Sequence, residues 1–209
     1  MSAPIISIQS NCGYIDIIIG PMFSGKTSYL LRELSIFEGM GSSVLYINHS
    51  IDNRADQSFS THNPLISKQI ESKLNGMDMV KTDDLSSMYD KAKKYDIIGI
   101  DEAQFFKDLK KFVLNMAEVH GKRVILCGLS GNFKREIFGE VMELIPLCDR
   151  VTKLSSCCKR CARKKMIKEA HFSYLFFTGS EENDVVVGGS ETYMPVCREC
   201  FLELSSLNN

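Results

Sequence analysis

The sequence predicts an α/β fold: a parallel sheet flanked by helices, followed by a small cysteine-bound unit. Three observations lead there. From about residue 13 to residue 150, short runs rich in Ile and Val alternate with segments whose apolar residues recur at helical spacing. A glycine-anchored loop, Gly20-Pro-Met-Phe-Ser-Gly-Lys-Thr27, joins the first such run to the first such segment. Two Cys-x-x-Cys pairs, Cys158/Cys161 and Cys197/Cys200, bracket the C-terminal part.

Taken in order, Tyr14–Ile19 reads as a buried strand and Ser28–Phe37 as a helix. Val44–Ile47 reads as a second strand. Residues 50–84 are more polar and less periodic, and read as a loop-rich excursion with a short strand near Ser67–Ile70. Leu85–Lys94 is helical in pattern, Ile97–Ile100 a strand, and Leu109–Val119 a helix with Phe112, Val113, Met116, Ala117 and Val119 on its apolar face. Val124–Cys127 closes the alternation as a strand. Apolar strands alternating with helices imply a parallel sheet covered on its faces. Ligands of such sheets sit at the carboxyl ends of the strands. From Leu154 to Phe201 the character changes, with cysteines at both ends and a β-like segment, Asp184–Val187, before Gly188-Gly189. The expected division is 1–152 for the sheet domain and 153–209 for the cysteine unit.

A chain of 209 residues that is 44% hydrophobic suffices for one full domain and a small appendage. A net charge of −1 with no long basic run argues against broad nucleic-acid binding. No stretch reaches the length of a membrane span. Met1–Gln9 has no positive charge ahead of its short apolar run, unlike a signal peptide, so the expected location is cytoplasmic. Eight cysteines in such a chain point to metal binding or packing rather than disulfides. Cys12, Cys127 and Cys148, each isolated among apolar residues, read as small core residues.

The loop at Gly20–Thr27 fits the phosphate-binding pattern G-x-x-x-x-G-K-[ST], in the strand–loop–helix setting that pattern needs. Backbone N–H groups of Gly20, Pro21's neighbours Met22, Phe23 and Ser24, and Gly25 at the helix N-terminus would face an anion. Lys26 would reach the β- and γ-phosphates and Thr27 would ligate Mg²⁺. Ile97–Ile100 ends in Asp101-Glu102; one acid suits Mg²⁺ and the next can activate a nucleophile, because successive residues at a strand end point in different directions. The two cysteine pairs, with 35 residues between them, offer four thiolates to one tetrahedral Zn²⁺. A redox pair would not need a second copy, and buried free thiols fit poorly beside Lys159, Arg160 and Arg198. Cys157 is an alternative ligand to Cys158, although Cys158 gives the standard spacing.

These pieces, in this order, resemble the thymidine kinases of the zinc-containing type, over roughly Gly13 to Phe201. The resemblance rests on Gly20-Pro-Met-Phe-Ser-Gly-Lys-Thr27, Asp52-Asn-Arg54, Asp101-Glu-Ala-Gln-Phe-Phe106, Leu129-Ser-Gly-Asn-Phe133 with Phe138-Gly139, both cysteine pairs, and Gly188-Gly189 with Tyr193. It implies a RecA-like phosphate-loop domain with a zinc-bound lasso over the nucleoside. ATP, Mg²⁺ and thymidine are then the small molecules, the zinc is structural, and the assembly is a homotetramer. Glu102 looks like the general base, and Lys26 and Arg54 like the groups that neutralise the transferring phosphoryl. Asp52, Asp101 and Gln104 join the phosphate loop on the nucleotide side. Met22, Phe105, Leu129, Phe133, Phe138, Ser173 and Tyr193 match the thymine pocket, and Val186, Val187 and Gly188 the loop whose backbone reads the base edge.

Several positions depart from the family pattern. Ser130 stands where Asp is usual, Asn132 where Thr is usual, Ile137 where Pro is common and Leu175 where Arg is usual. With a short insertion, Ser173 matches the pocket hydroxyl; without it, Lys168 falls there. Phe133 and Phe138 also read as core aromatics, Tyr193 as a strand residue and Arg54 as a solvated charge. His49 reads as a loop histidine, and His62 and His120 as surface or structural ones. One rival function is a phosphate-loop ATPase whose basic knuckle (Lys159, Arg160, Arg163, Lys164, Lys165) binds nucleic acid. Another keeps the fold and widens the substrate to deoxyuridine.

Overall fold

A computed structural model of the chain describes residues 12–51, 76–176 and 188–207. Asp52, Arg54, His62, the strand expected near Ser67–Ile70, and the segment Asp184–Val187 with Val186 and Val187 lie outside the described residues.

The centre is one parallel sheet of six strands: β1 (Tyr14–Gly20), β2 (Val44–His49), β3 (Asp78–Thr82), β4 (Ile97–Ile100), β5 (Arg123–Leu129) and β6 (Arg150–Lys153), in the order β3-β2-β4-β5-β1-β6. Register aligns the strand ends, with Ile100 opposite Leu126 and Gly20 opposite Leu129. Alternate residues of each strand face opposite sides. Ile18, Val44, Tyr46, Ile97, Ile125 and Cys127 face α1 (Lys26–Gly39), which buries Leu30, Leu31 and Leu34 against them. Gly99 permits this approach, since a Cβ there would lie 2.4 Å from Leu34 Cδ1. Ile15, Ile17, Leu45, Ile98, Ile100, Val124 and Leu126 face the other side, under Phe106 and α3 (Leu109–Leu114), which runs on into a π-helical turn, Asn115–Val119. The segment expected as a helix over Leu85–Lys94 is a 3₁₀ turn, Ser86–Met88, followed by the single turn α2 (Tyr89–Ala92).

Among the described residues, one carboxylate is fully buried within the strands of this sheet. Asp16 of β1 has no exposure, accepts from Arg150 Nε and Nη2, and is also paired with Arg123 at 3.3 Å. Arg123 itself stacks between Tyr14 and Phe37, its guanidinium 4.1 and 4.9 Å from their ring centres. Asp16 and Arg150 thus clamp the edge strand β6 to β1, where a carboxylate buried without partners would be strongly destabilising.

The C-terminal part has its own small core. It contains two short antiparallel pairs: β7 (Ser156–Cys157) with β8 (Glu169–Ala170), and β9 (Phe172–Leu175) with β10 (Tyr193–Val196). These carry α4 (Lys159–Arg163) and α5 (Arg198–Leu207). Cys158, Cys161, Ala170, Tyr174, Val196, Cys197, Cys200 and Phe201 are buried together. Of the three isolated cysteines expected in the core, Cys127 is buried, Cys148 is half-buried and Cys12 is exposed; Cys12 precedes β1, where the chain has not yet joined the sheet.

Candidate active site

Gly20 to Gly25 curl between β1 and α1. Phe23 and Gly25 both have left-handed backbone (φ 63° and 80°), which is what turns the loop around the helix N-terminus. Ser24 Oγ and Lys26 Nζ each donate to the Pro21 carbonyl at 2.8 Å, so the ammonium lies against the loop it is to serve. A Cβ on Gly20 would fall 2.7 Å from Ser24 Oγ and 2.8 Å from the Leu154 carbonyl; glycine is needed there for space.

Asp101 and Glu102 follow β4 at the same end of the sheet. Asp101 is 2% exposed, and its carboxylate accepts three hydrogen bonds. Tyr46 Oη donates to Oδ2 at 2.8 Å, while Cys127 Sγ and the Glu102 N–H donate to Oδ1, each at 2.8 Å. Burial, and then the Glu102 charge, raise the Asp101 pKa; the three donors oppose that rise. Burial together with Asp101 holds the Tyr46 hydroxyl and the Cys127 thiol well above their usual pKa ranges, so both remain protonated donors. Lys26 pulls the Cys127 thiol the other way, so the lysine of the phosphate loop and the two acids of β4 act on one side chain.

Glu102 has left-handed backbone, φ 49° and ψ 39°. For a residue with a Cβ that conformation costs about 1–3 kcal/mol and persists only where surroundings hold it. Gln104 is among them: its Nε2 donates to Glu102 Oε2 at 2.6 Å. His49 is a further neighbour. The sequence reading put it in a loop, yet it is the last residue of β2, 8% exposed, and packs against Phe106 (4.7 Å between ring centres) and Phe105 (5.5 Å). Its Nδ1 accepts the Ile51 N–H, which leaves Nε2 as the protonated nitrogen of the neutral ring. Burial lowers its pKa, against the charges of Asp83 and Glu102. The signal for it was present in the sequence: β2 continues past its apolar run.

The aromatic wall is partly assembled. Phe105 and Phe138 meet edge to face at 5.5 Å, and Leu129 ends β5 beside Gln104. The Ser173 hydroxyl, 6% exposed, accepts the Met22 N–H at 2.9 Å and so joins β9 to the phosphate loop. Lys168, the competing residue, is instead paired with Glu199 at 2.6 Å on the surface. Tyr193 is buried opposite Leu175, and its N–H donates to the Gly189 carbonyl. The ammonium of Lys134 lies 5.7 Å from the ring centre of Phe133, and among the described residues no ring pairing joins Phe133 to Phe105 or Phe138.

The thiols of Cys158, Cys161, Cys197 and Cys200 lie within 4.8 Å of one another, all buried. Cys161 Sγ is 3.9 Å from Cys197 Sγ and 3.7 Å from Cys200 Sγ. Four sulfurs at ~2.3 Å from one Zn²⁺ would stand about 3.8 Å apart, so the cluster fits that ion. Burial opposes charge on Cys158, but N–H groups and thiols of Cys161 and Cys197 bring its pKa down to about 7. Burial raises Cys161 and Cys200. A thiol whose pKa is drawn down, set among buried thiols, is a group that a cation completes. Cys157 is exposed on β7, and the four clustered thiols include Cys158 rather than Cys157.

A phosphate loop, a lysine and two strand-end carboxylates at one end of a parallel sheet, beside a four-cysteine cluster, define a phosphoryl-transferring enzyme of the phosphate-loop class. The family model described as thymidine kinase matches residues 13–201. A thymidine kinase of Oryza sativa subsp. japonica is 40% identical over 201 residues, covering 91% of this chain and 67% of that protein. A cytosolic thymidine kinase of Cricetulus griseus is 36% identical (93% of this chain, 76% of that protein), and the thymidine kinase of Vaccinia virus (strain Western Reserve) 35% identical (92% and 99%). The chain belongs to the thymidine kinase family.

Proposed function

We propose that this protein transfers the γ-phosphoryl group of ATP to the 5′-hydroxyl of thymidine, giving ADP and thymidine 5′-monophosphate. The observation that carries the reading is the family match together with Glu102, held in left-handed backbone beside Asp101 at the phosphate-loop end of the sheet. In the step, Glu102 accepts the 5′-hydroxyl proton as the oxygen bonds to the γ-phosphorus. The bond from that phosphorus to the bridging oxygen breaks, and its electron pair leaves on ADP. Lys26 and the loop N–H groups offset the charge on the phosphates, with Arg54 the second cation of this reading. Thr27 and Asp101 would hold Mg²⁺, which would supply positive charge to offset that of the phosphates.

Phe105, Phe133, Phe138, Leu129 and Met22 are the apolar contacts for the base, with Tyr193, Val186, Val187 and Gly188 on the lasso side. Ser173 is already bonded to Met22, which supports its place at this wall. The four cysteines would hold Zn²⁺ with no position left open for substrate, so the ion orders the lasso rather than reacting. Cytosolic residence and a homotetramer complete the reading. It is consistent with this that no helix among the described residues is long and apolar enough to cross a membrane.

The test is product formation from ATP·Mg²⁺ with thymidine, deoxyuridine, deoxycytidine or no nucleoside. The expected result is a nucleoside monophosphate from thymidine above all. ADP release at the same rate without any nucleoside would replace this reading by an ATPase.

A further inference from the structure

Gln104 is long, polar and 3% exposed, two residues beyond the base of the proposed reaction. The sequence placed it among groups that contact the nucleotide. Its amide is instead engaged within the protein in two directions. Nε2 donates to Glu102 Oε2 at 2.6 Å, and Oε1 accepts the backbone N–H of Leu129 at 3.1 Å. The first bond reaches the residue at the end of β4 that takes the proton. The second reaches the end of β5, at a residue of the thymine-side wall.

The amide has only one workable orientation. Reversed, it would set NH₂ against the Leu129 N–H and a carbonyl against a carboxylate. The Leu129 N–H therefore dictates that Gln104 presents a donor to Glu102. The residue is also tightly enclosed. A Cβ at Gly139 would fall 2.2 Å from the Gln104 carbonyl oxygen, and one at Gly128 2.9 Å from Oε1. Glycine at both positions makes room for this side chain and its backbone.

We propose that Gln104 is a positioning residue for phosphoryl transfer: by holding Glu102 Oε2 it fixes the plane in which the carboxylate meets the 5′-hydroxyl, and through Leu129 it ties that plane to the wall that seats the base. Misplacing a reacting group by about 1 Å can cost 10²-fold in rate with little effect on binding. This inference rests on the thymidine kinase reading above.

Two substitutions separate the donor from the packing. Gln104→Glu retains the acceptor for the Leu129 N–H and removes the donor to Glu102. Gln104→Met retains the volume and removes both bonds. The readouts are kcat, the KM for thymidine, thymidine sites per chain by calorimetry, and Tm. The expected result for Gln104→Glu is a kcat lower by tenfold or more, a thymidine KM within about threefold of wild type, and one site per chain. Gln104→Met should lower kcat in the same way, with a larger loss of Tm. An active wild type with Gln104→Glu at a kcat within twofold overturns the positioning role. So does a loss of kcat matched by an equal loss of thymidine sites, which marks a packing defect. A wild-type protein that makes no thymidine monophosphate sinks the functional reading itself, a result visible before any variant is made.

Discussion

β1 and β5 are buried almost along their whole lengths, Ile15 to Ile19 lying beside Val124 to Gly128 with α1 on one face and α3 on the other. Among the described residues, the hydrophobic cluster of the C-terminal unit adds to its four thiols Ala170, Tyr174, Val196 and Phe201, with Tyr193 also buried. The first region has enough apolar area to order itself, and it carries Lys26 at the start of α1 and Asp101 and Glu102 just beyond β4. The second has a core too small to stand without a cross-link. The proposed function assigns chemistry and substrate enclosure to parts with different sources of order. Among the described residues, two side-chain contacts stand out between them. One is the Met22–Ser173 hydrogen bond. The other is Arg135, from the loop after β5, whose guanidinium lies 4.5 Å from the Phe201 ring centre and 5.9 Å from that of Phe172.

The sharpest way to break this comparison is to remove the base from the sheet region. Glu102→Gln is expected to lower kcat on the order of 10³-fold, within the range of lost general-base catalysis, while Tm, zinc content and thymidine affinity stay near wild type. Steady-state kinetics alongside calorimetry would show it. A variant with near-normal kcat would take the base role away from Glu102. A smaller effect is expected where the regions touch. Arg135→Ala should remove about 0.5–1 kcal/mol of cation–π attraction, which is a two- to fivefold rise in thymidine KM with ATP KM unchanged. Equal rises in both constants would mean that the loop serves the sheet alone.

How much of this was legible in the sequence follows the same division. Strands buried on both faces appear as unbroken Ile and Val runs, so β1, β2, β4 and β5 were readable. β3 and β6 were not: they are edge strands, short and half-exposed, and Asp78–Thr82 fell inside a segment read as loop. The partner of Asp16 could not be read, because Arg150 lies 134 residues away. Motifs identified Lys26, Asp101, Glu102 and the four cysteines, since local spacing carries that chemistry. The environment of those groups was hidden for the opposite reason. Tyr46 and Cys127 bond Asp101 from other strands and His49 packs on Phe106 from the end of β2, pairings that no local pattern encodes; Gln104 was legible within the Asp101–Phe106 motif, but its bond to the Leu129 N–H was not. Cys127 was rightly read as buried, but its donation to Asp101 depends on the pairing of β4 with β5.

The central claim is that the sheet binds and activates the nucleotide while the cysteine unit seats the nucleoside. Cys200→Ser in the full chain tests it most directly, with zinc content, ATP·Mg²⁺ affinity and thymidine affinity measured on the same preparation. The account predicts loss of zinc, a thymidine affinity lower by tenfold or more, and an ATP·Mg²⁺ affinity within about threefold of wild type. Equal loss of both ligands, or a zinc-free protein that binds thymidine normally, would contradict it.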